Sequence, residues 1–236
     1  MFLSQLPWNL RDMNARRDLA SSYELHRTLW NCFPNLRRDP DRGVFPERIL
    51  FRVDTDRRNG CPIVLVQSAL EPAWDQLPPR RLLAPAECKP VDPQFTAGQR
   101  LRFRLRANPT KRIAAKNPHL GATMVGKRVG MATEVDQIEW LLRKGIAAGF
   151  TIPGQWVPAT DPETEEPIRL PNFRVDAIPE GRDRNGKKGH GEGVFHAVRF
   201  EGVLIVTDPI QFRTAWSAGI GSAKGYGFGL LSIAAA

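Results

Sequence analysis

Cysteine is scarce in this 236-residue chain. Cys32, Cys61 and Cys88 lie far apart, with no CxxC pair. An odd count at such spacing suits neither a zinc site nor a disulfide framework and reads as three reduced thiols. The four histidines, His26, His119, His190 and His196, are equally scattered. Without HExxH or paired-ligand spacing they offer no metal site. No apolar run approaches the roughly 18–20 residues of a membrane span. Met1 to Asn9 lacks a basic leader followed by a long apolar stretch, which argues against a signal peptide. The expected localisation is cytoplasmic.

Nucleotide-binding fingerprints are missing too. A Walker loop needs GxxxxGK[ST], and here Lys224 precedes Gly225. A dinucleotide loop needs GxGxxG after a strand, whereas Gly219, Gly221 and Gly225 follow a helical pattern with one residue too many. Acidic residues vanish over one long stretch: Pro93 to Thr133 holds no Asp or Glu. The same stretch carries Arg100, Arg102, Arg104, Arg106, Lys111, Arg112, Lys116, Lys127 and Arg128.

What is present describes a globular protein with an anionic partner. Hydrophobic residues make up 42% and charged residues 25%, which excludes wholesale disorder. Lys and Arg number 34 against 25 Asp and Glu, a net charge of +9. Such a balance favours a polyanion, nucleic acid before an anionic membrane surface.

The element order is expected to run twice through strand, helix, strand, strand, helix, strand. The first pass has strands at residues 2–6, 48–54, 62–67 and 86–91, one helix over 14–33 and a short one at 71–76. Asn59-Gly60 marks a hairpin between its middle strands. Residues 92–98 read as a linker. The second pass has strands at 99–107, 172–178, 194–206 and 226–233. Its helices are 134–150, with Val135, Ile138, Leu141, Leu142 and Ile146 as the buried stripe, and 209–218. The latter opens with Asp208 as N-cap and Pro209 at the first helical position. Residues 108–127 read as a mobile loop. The fold class is α+β, two tandem ferredoxin-like domains with antiparallel sheets, 1–92 and 97–236; a single α+β domain of irregular topology is the alternative.

Four elements carry chemistry. In Leu101-Arg102-Phe103-Arg104-Leu105-Arg106 the alternation puts Arg102, Arg104 and Arg106 on one face, spaced about 6–7 Å apart. With Lys111 and Arg112 they form a candidate phosphate-binding surface. Arg182, Arg184, Lys187 and Lys188 mark a basic hairpin tip that fits a nucleic-acid groove, or is an ordinary polar loop. The segment from Gly219 to Gly229, with Gly221, Lys224, Gly225 and Gly227, allows close backbone approach to an anion; a tight turn is its plain structural reading. Tyr23 and His26 are neighbours on a helix flank, where such a pair serves acid–base chemistry or simple packing.

Together these elements resemble the CasE family, the CRISPR repeat endoribonucleases of type I-E systems within the RAMP superfamily. The carriers are Arg104-Leu105-Arg106-Ala107-Asn108-Pro109-Thr110, the glycine-rich segment 219–231 and the early helix with His26. The resemblance implies metal-independent cleavage of precursor CRISPR RNA at the base of each repeat hairpin, by 2′-OH attack. The products would carry a 2′,3′-cyclic phosphate and a 5′-OH. It implies His26 and Tyr23 as catalytic residues, RNA contacts from the basic and glycine-rich elements, and no cofactor. The partners implied are repeat hairpin RNA, before and after processing, and other Cascade subunits, with no membrane and no nucleotide cofactor. Two rivals stand: a RAMP-type RNA-binding subunit without catalysis, and an unrelated basic DNA-binding protein.

Overall fold

The computed structural model describes residues 1–34, 49–113, 126–185 and 193–236, the side chains of 183–185 and 193 excepted. Its first half contains β1 (Phe2–Pro7), α1 (Met13–Ala20), α2 (Ser22–Trp30), β2 (Ile49–Thr55), β3 (Pro62–Ser68) and β4 (Glu87–Pro90). The four strands form an antiparallel sheet in the order β2-β3-β1-β4. Both helices pack on one face of it. Leu25 and Leu29 of α2 meet Leu6, Phe51, Val64 and Val66 in one core cluster.

The helix expected over 14–33 is two helices, broken at Ser21. Ser21 sits in extended backbone, φ −141° and ψ 113°, ending α1 and capping α2. Its hydroxyl accepts from the Glu24 amide at 3.4 Å. Ser21-Ser22-Tyr23-Glu24 is the S-x-x-E capping pattern, so the break had a local signal. A buried polar cluster fixes the angle between the helices. Arg81 Nε donates to Asp18 at 3.0 Å, its Nη1 donates to Asp12 at 2.7 Å, and Thr28 donates to Asp18 at 3.1 Å. The short helix expected at 71–76 shrinks to a 3₁₀ turn, Trp74–Gln76. Leu77 precedes Pro78 and is therefore driven out of helical backbone, at ψ 137°. The β2–β3 hairpin stands where Asn59-Gly60 placed it, with Gly60 donating to Asp56 O at 2.8 Å.

The second half contains β5 (Arg100–Ala107), β6 (Thr110–Arg112), β7 (Arg128–Gly130), α3 (Glu134–Ala147), β8 (Phe150–Thr151), β9 (Gly154–Thr160) and β10 (Pro167–Phe173). Next come β11 (Val175–Asn185), β12 (Gly193–Val206), α4 (Pro209–Ala218) and β13 (Leu231–Ala235). The main sheet runs β11-β12-β5-β13, with β8 beside β12. Counting in chain order only the strands along each four-strand path, both halves have the spatial order second, third, first, fourth. That is the ferredoxin-like arrangement, and the fold is α+β with two such antiparallel sheets.

Several expectations shift here. Of the stripe expected on α3, Ile138 and Leu141 are buried, but Val135 and Ile146 are exposed, the latter at 74%; Gln137 and Trp140 are buried instead. The helix ends at Ala147 because Gly149, at φ 74°, turns the chain against α4. A Cβ there would lie 2.5 Å from Asp208 O. No element is expected over 151–171, where β9 and β10 pair although Pro158, Pro167 and Pro171 interrupt them; the end of β10 takes Asn172 and Phe173 from the strand expected at 172–178. A two-stranded ribbon has free edges, where a missing amide costs no ladder bond. Part of the segment expected as a loop, 108–127, is β6, which pairs with β7 just beyond it, while Lys116 and His119 lie outside the described residues. The last strand is shorter than 226–233, because Gly227 and Gly229 have positive φ. Helix α4 begins as expected, Asp208 accepting from the Ile210 and Gln211 amides at 3.0 Å.

Arg52 joins the halves. Only 2% exposed, it donates from Nε and Nη2 to both Asp54 oxygens at 2.8 Å. It reaches the other sheet through Arg104 O at 3.2 Å, Leu230 O at 3.4 Å and Ser232 Oγ at 2.9 Å. Gln67 adds a bond to Trp216 O at 2.9 Å.

Candidate active site

His26 lies on α2, carried by the Ser21 cap. Its ring centroid is 5.1 Å from that of Trp30 and 6.2 Å from that of Phe51. Burial lowers its pKa, so the ring is neutral near pH 7. Nδ1 is buried and has no hydrogen-bond partner among the described residues. Tyr23 is half-buried one turn earlier on the same helix.

The glycine-rich segment comes from the far end of the chain to meet this helix. A Cβ built on Gly225 would sit 3.7 Å from His26 Cε1, so backbone lies against the imidazole. The segment folds back on itself through Ile220 N to Gly229 O at 2.9 Å, and Gly229 N donates to Arg106 O at 2.8 Å. Gly219 backs onto Leu50, Gly227 onto Phe51, and Gly221 onto Trp140. Lys224 Nζ donates to Ala218 O at 2.7 Å, helping to close the loop.

Between α2 and this loop lies a cleft of about 270 Å³, lined in part by Ser22, Phe51, Arg106, Glu180, Tyr226 and Gly227. Leu25, also on its wall, immediately precedes His26. Tyr226 escaped the sequence reading. It sits in a 3₁₀ turn, Lys224–Tyr226, and its ring lies 5.1 Å from Phe195. The available signal was an aromatic between the glycines of Lys224-Gly225-Tyr226-Gly227.

The arginine row differs from expectation in its partners. The alternation is as read, with Leu101, Phe103 and Leu105 buried. The guanidiniums, however, are not a bare row, because neighbouring strands supply the carboxylates that residues 93–133 lack. Glu201 on β12 stands opposite Arg104 and accepts from its Nε at 2.5 Å. Asp54 on β2 lies 3.4 Å from Arg104. Glu180 sits at a bulge in β11, where the pairing register shifts, and bulges re-aim a side chain. Its carboxylate accepts from Arg106 at 2.8 Å and Arg199 at 2.9 Å. Arg106 also lies 4.3 Å over the Phe228 ring. Burial raises the Asp54 carboxyl, but hydrogen bonds and charge from Arg52, then Arg104, outweigh it and hold the pKa below its ordinary value. Glu201 is lowered in the same way, Arg199 and Arg104 outweighing burial. Arg102 is the exposed member, its Nε donating to Ala235 O at 2.8 Å.

The remaining candidates are spread over one half. Lys111 on β6 pairs with Asp136 at 3.5 Å. Arg112 is exposed one residue on. Arg182 is exposed on β11, and the side chain of Arg184 is among those not described. Lys187 and Lys188 lie outside the described residues. Among the described residues no three His, Cys, Asp or Glu side chains are placed to hold a metal ion, and no helix is long and apolar enough to cross a membrane. Cys32 is buried, its thiol pushed up to about 12 by burial and by Asp75, so it is no nucleophile.

A family model described as CRISPR associated protein matches residues 1–235. The CRISPR-associated endoribonuclease Cse3 of Thermus thermophilus is 36% identical over 240 residues, covering 99% of this chain and 100% of its own. The Cascade subunit CasE of Escherichia coli K12 is 36% identical over 225 residues, 92% of each chain. A solved structure of the CRISPR endoribonuclease Cse3 bound to a 19-nucleotide RNA matches with a TM-score of 0.78 at 34% identity, covering 99% of this chain and 100% of that one. The likeness runs along nearly the full length of these proteins, and the chain belongs to the family of CRISPR-associated proteins.

Proposed function

We propose that the chain is an endoribonuclease that cuts precursor CRISPR RNA within each repeat, at the base of the hairpin, and stays on the product as a Cascade subunit in the cytoplasm. Its relatives are named as a CRISPR-associated endoribonuclease and a Cascade subunit. The observation in the molecule that carries the reading is the apposition of His26 on Gly225. It sets a neutral imidazole beside a loop whose amides can face an anion. The two halves, 1–92 and 97–236, act as two ferredoxin-like domains. The first brings His26 and Tyr23, and the second brings the loop, the basic strand and the hairpin with Arg182, Arg184, Lys187 and Lys188.

RNA supplies its own nucleophile. The 2′-OH gives up its proton and attacks the adjacent phosphorus in line. The P–O5′ bond breaks, leaving a 2′,3′-cyclic phosphate, and O5′ leaves as a hydroxyl after gaining a proton. His26 in its neutral form accepts the 2′-OH proton, and because Nδ1 is enclosed, Nε2 is the atom that meets the RNA. Tyr23 positions the ring or donates toward the leaving oxygen. Glycine amides and Lys224 stabilise charge on the phosphoryl oxygens.

His26→Ala should slow single-turnover cleavage of repeat RNA by about 10²–10⁴-fold, the usual worth of general acid–base catalysis, while affinity stays within a few fold. A substrate with 2′-deoxyribose at the scissile nucleotide should bind and remain intact, and cleavage of the normal substrate should persist in excess EDTA. A cut deoxy substrate, or a His26→Ala enzyme of normal rate, overturns this mechanism.

A further inference from the structure

A second pocket, of about 220 Å³, lies in the second half away from His26. Arg112 reaches it from β6, Arg128 from β7, Arg143 and Lys144 from α3, and Gly221 and Ser222 from the glycine-rich loop. No carboxylate lines it among the described residues. On α3, Asp136 is engaged by Lys111 at 3.5 Å. Arg112 and Arg128 stand directly opposite each other across the β6–β7 ladder, a placement in which like charges repel. Arg143 and Lys144 add two cations on the adjoining helix, Lys144 with its ammonium 6.0 Å from the Trp140 ring. Gly221, at φ 89°, packs its backbone on Trp140, since a Cβ there would lie 3.1 Å from the indole. That brings the Ser222 hydroxyl to the same pocket.

Four cations converging without acids form a cluster that an anion would relieve. Guanidinium forks match phosphate oxygens in pairs, and the volume suits a single phosphoryl group with part of a sugar rather than a protein segment. The glycine-rich loop ties the pocket to the cleavage centre. Gly221 lines the one, Gly225 abuts His26 in the other, and four residues span at most about 14 Å. We propose that this pocket is a phosphate subsite that holds a backbone phosphate of the bound RNA outside the scissile linkage. Arg128 and Arg143 are the residues that define it, with Arg112, Lys144 and Ser222. The inference rests on the reading of the chain as a repeat-RNA endonuclease.

The test compares the wild type with Arg128→Gln/Arg143→Gln and with Arg128→Lys/Arg143→Lys on repeat RNA over a salt series. Each lost phosphate contact removes roughly 0.7–0.9 from the log–log salt slope, and the pocket holds one phosphate, so the Gln variant should lose about 0.7–0.9 and bind more weakly. The Lys variant, which keeps the charge, should keep most of the slope. Because both arginines are exposed and repelled by neighbours, the free Gln variant should melt at or above the wild-type temperature. Neutral methylphosphonate linkages walked along the RNA should reveal one position that weakens the wild type and leaves the Gln variant indifferent. An unchanged slope in a wild type that binds and cuts RNA overturns the pocket alone. A lower melting temperature of the Gln variant makes the arginines structural and also overturns it. Absence of any sensitive linkage removes the assignment to the RNA backbone. A wild type that neither binds nor cuts repeat RNA overturns the underlying reading instead.

Discussion

Two arginine clusters stand in this molecule and differ in what surrounds them. Arg52, Arg104, Arg106 and Arg199 are matched by Asp54, Glu180 and Glu201 in a partly buried network. Arg112, Arg128 and Arg143, with Lys144, surround a pocket that no described carboxylate lines. In the sequence the two are indistinguishable, since Arg104, Arg106, Arg112 and Arg128 all fall in the same acid-free stretch. The difference arises from strand pairing. β5 pairs with β12, which carries Glu201, and its arginines also reach Asp54 on β2 and Glu180 on β11, whereas among the described residues β6 pairs with β7 alone and neither carries an acid. Of the matched arginines, Arg52 and Arg104 meet at Asp54 and bridge the two halves, while Arg106 and Arg199 pair within the second; the unmatched ones are available to a ligand.

The sharpest way to break this comparison is to remove a matched arginine. Arg52→Met leaves Asp54 enclosed without its bidentate partner and frees three acceptors at the junction of the halves. Breaking a buried ion pair from one side costs about 3–5 kcal/mol, so urea unfolding should show a loss of that order. A loss below about 1 kcal/mol would mean that the network does not hold the halves together.

Acid should act on the matched cluster as well. Asp54 and Glu201 have pKa values lowered in the folded protein, so their contribution is present above the unfolded carboxylate range of about 4. It is lost as pH falls through that range toward their folded values. Unfolding free energy should drop between about pH 5 and pH 3 in the wild type, and drop less in Asp54→Asn/Glu201→Gln. Parallel curves for the two proteins would remove these carboxylates from the acid response.

The same contrast explains how far the sequence could be read. Local rules placed the β2–β3 hairpin at Asn59-Gly60, α4 at Asp208-Pro209 and the alternation of β5, because each depends on residues a few positions apart. The break at Ser21 was just as local, signalled by the capping pattern Ser21-Ser22-Tyr23-Glu24. Contacts distant in sequence were not legible. Asp54, Glu180 and Glu201 lie tens of residues from Arg104 and Arg106, and nothing in those two arginines announces them. His26 was chosen as a helix-flank residue, yet its setting depends on Gly225 and Phe51, from opposite ends of the chain. Tyr226 was hidden within a loop read only for its glycines.

The smallest expected effect separates the clusters by charge accounting at equal net charge. Arg102 is exposed and donates to the Ala235 carbonyl, so its charge is free to neutralise a phosphate. Arg102→Gln should therefore lower the salt slope of RNA binding by about 0.7–0.9. Arg104 is neutralised by Glu201 and Asp54, and its side chain is 29% exposed. Replacing the pair together, Arg104→Gln/Glu201→Gln, removes one charge of each sign and leaves the net charge at +9. If Arg104 is spent within the protein, the slope should stay at the wild-type value within error. A fall matching that of Arg102→Gln would show that Arg104 exchanges its carboxylates for RNA phosphates on binding. The matched cluster would then be a concealed part of the binding surface rather than a joint between the two halves.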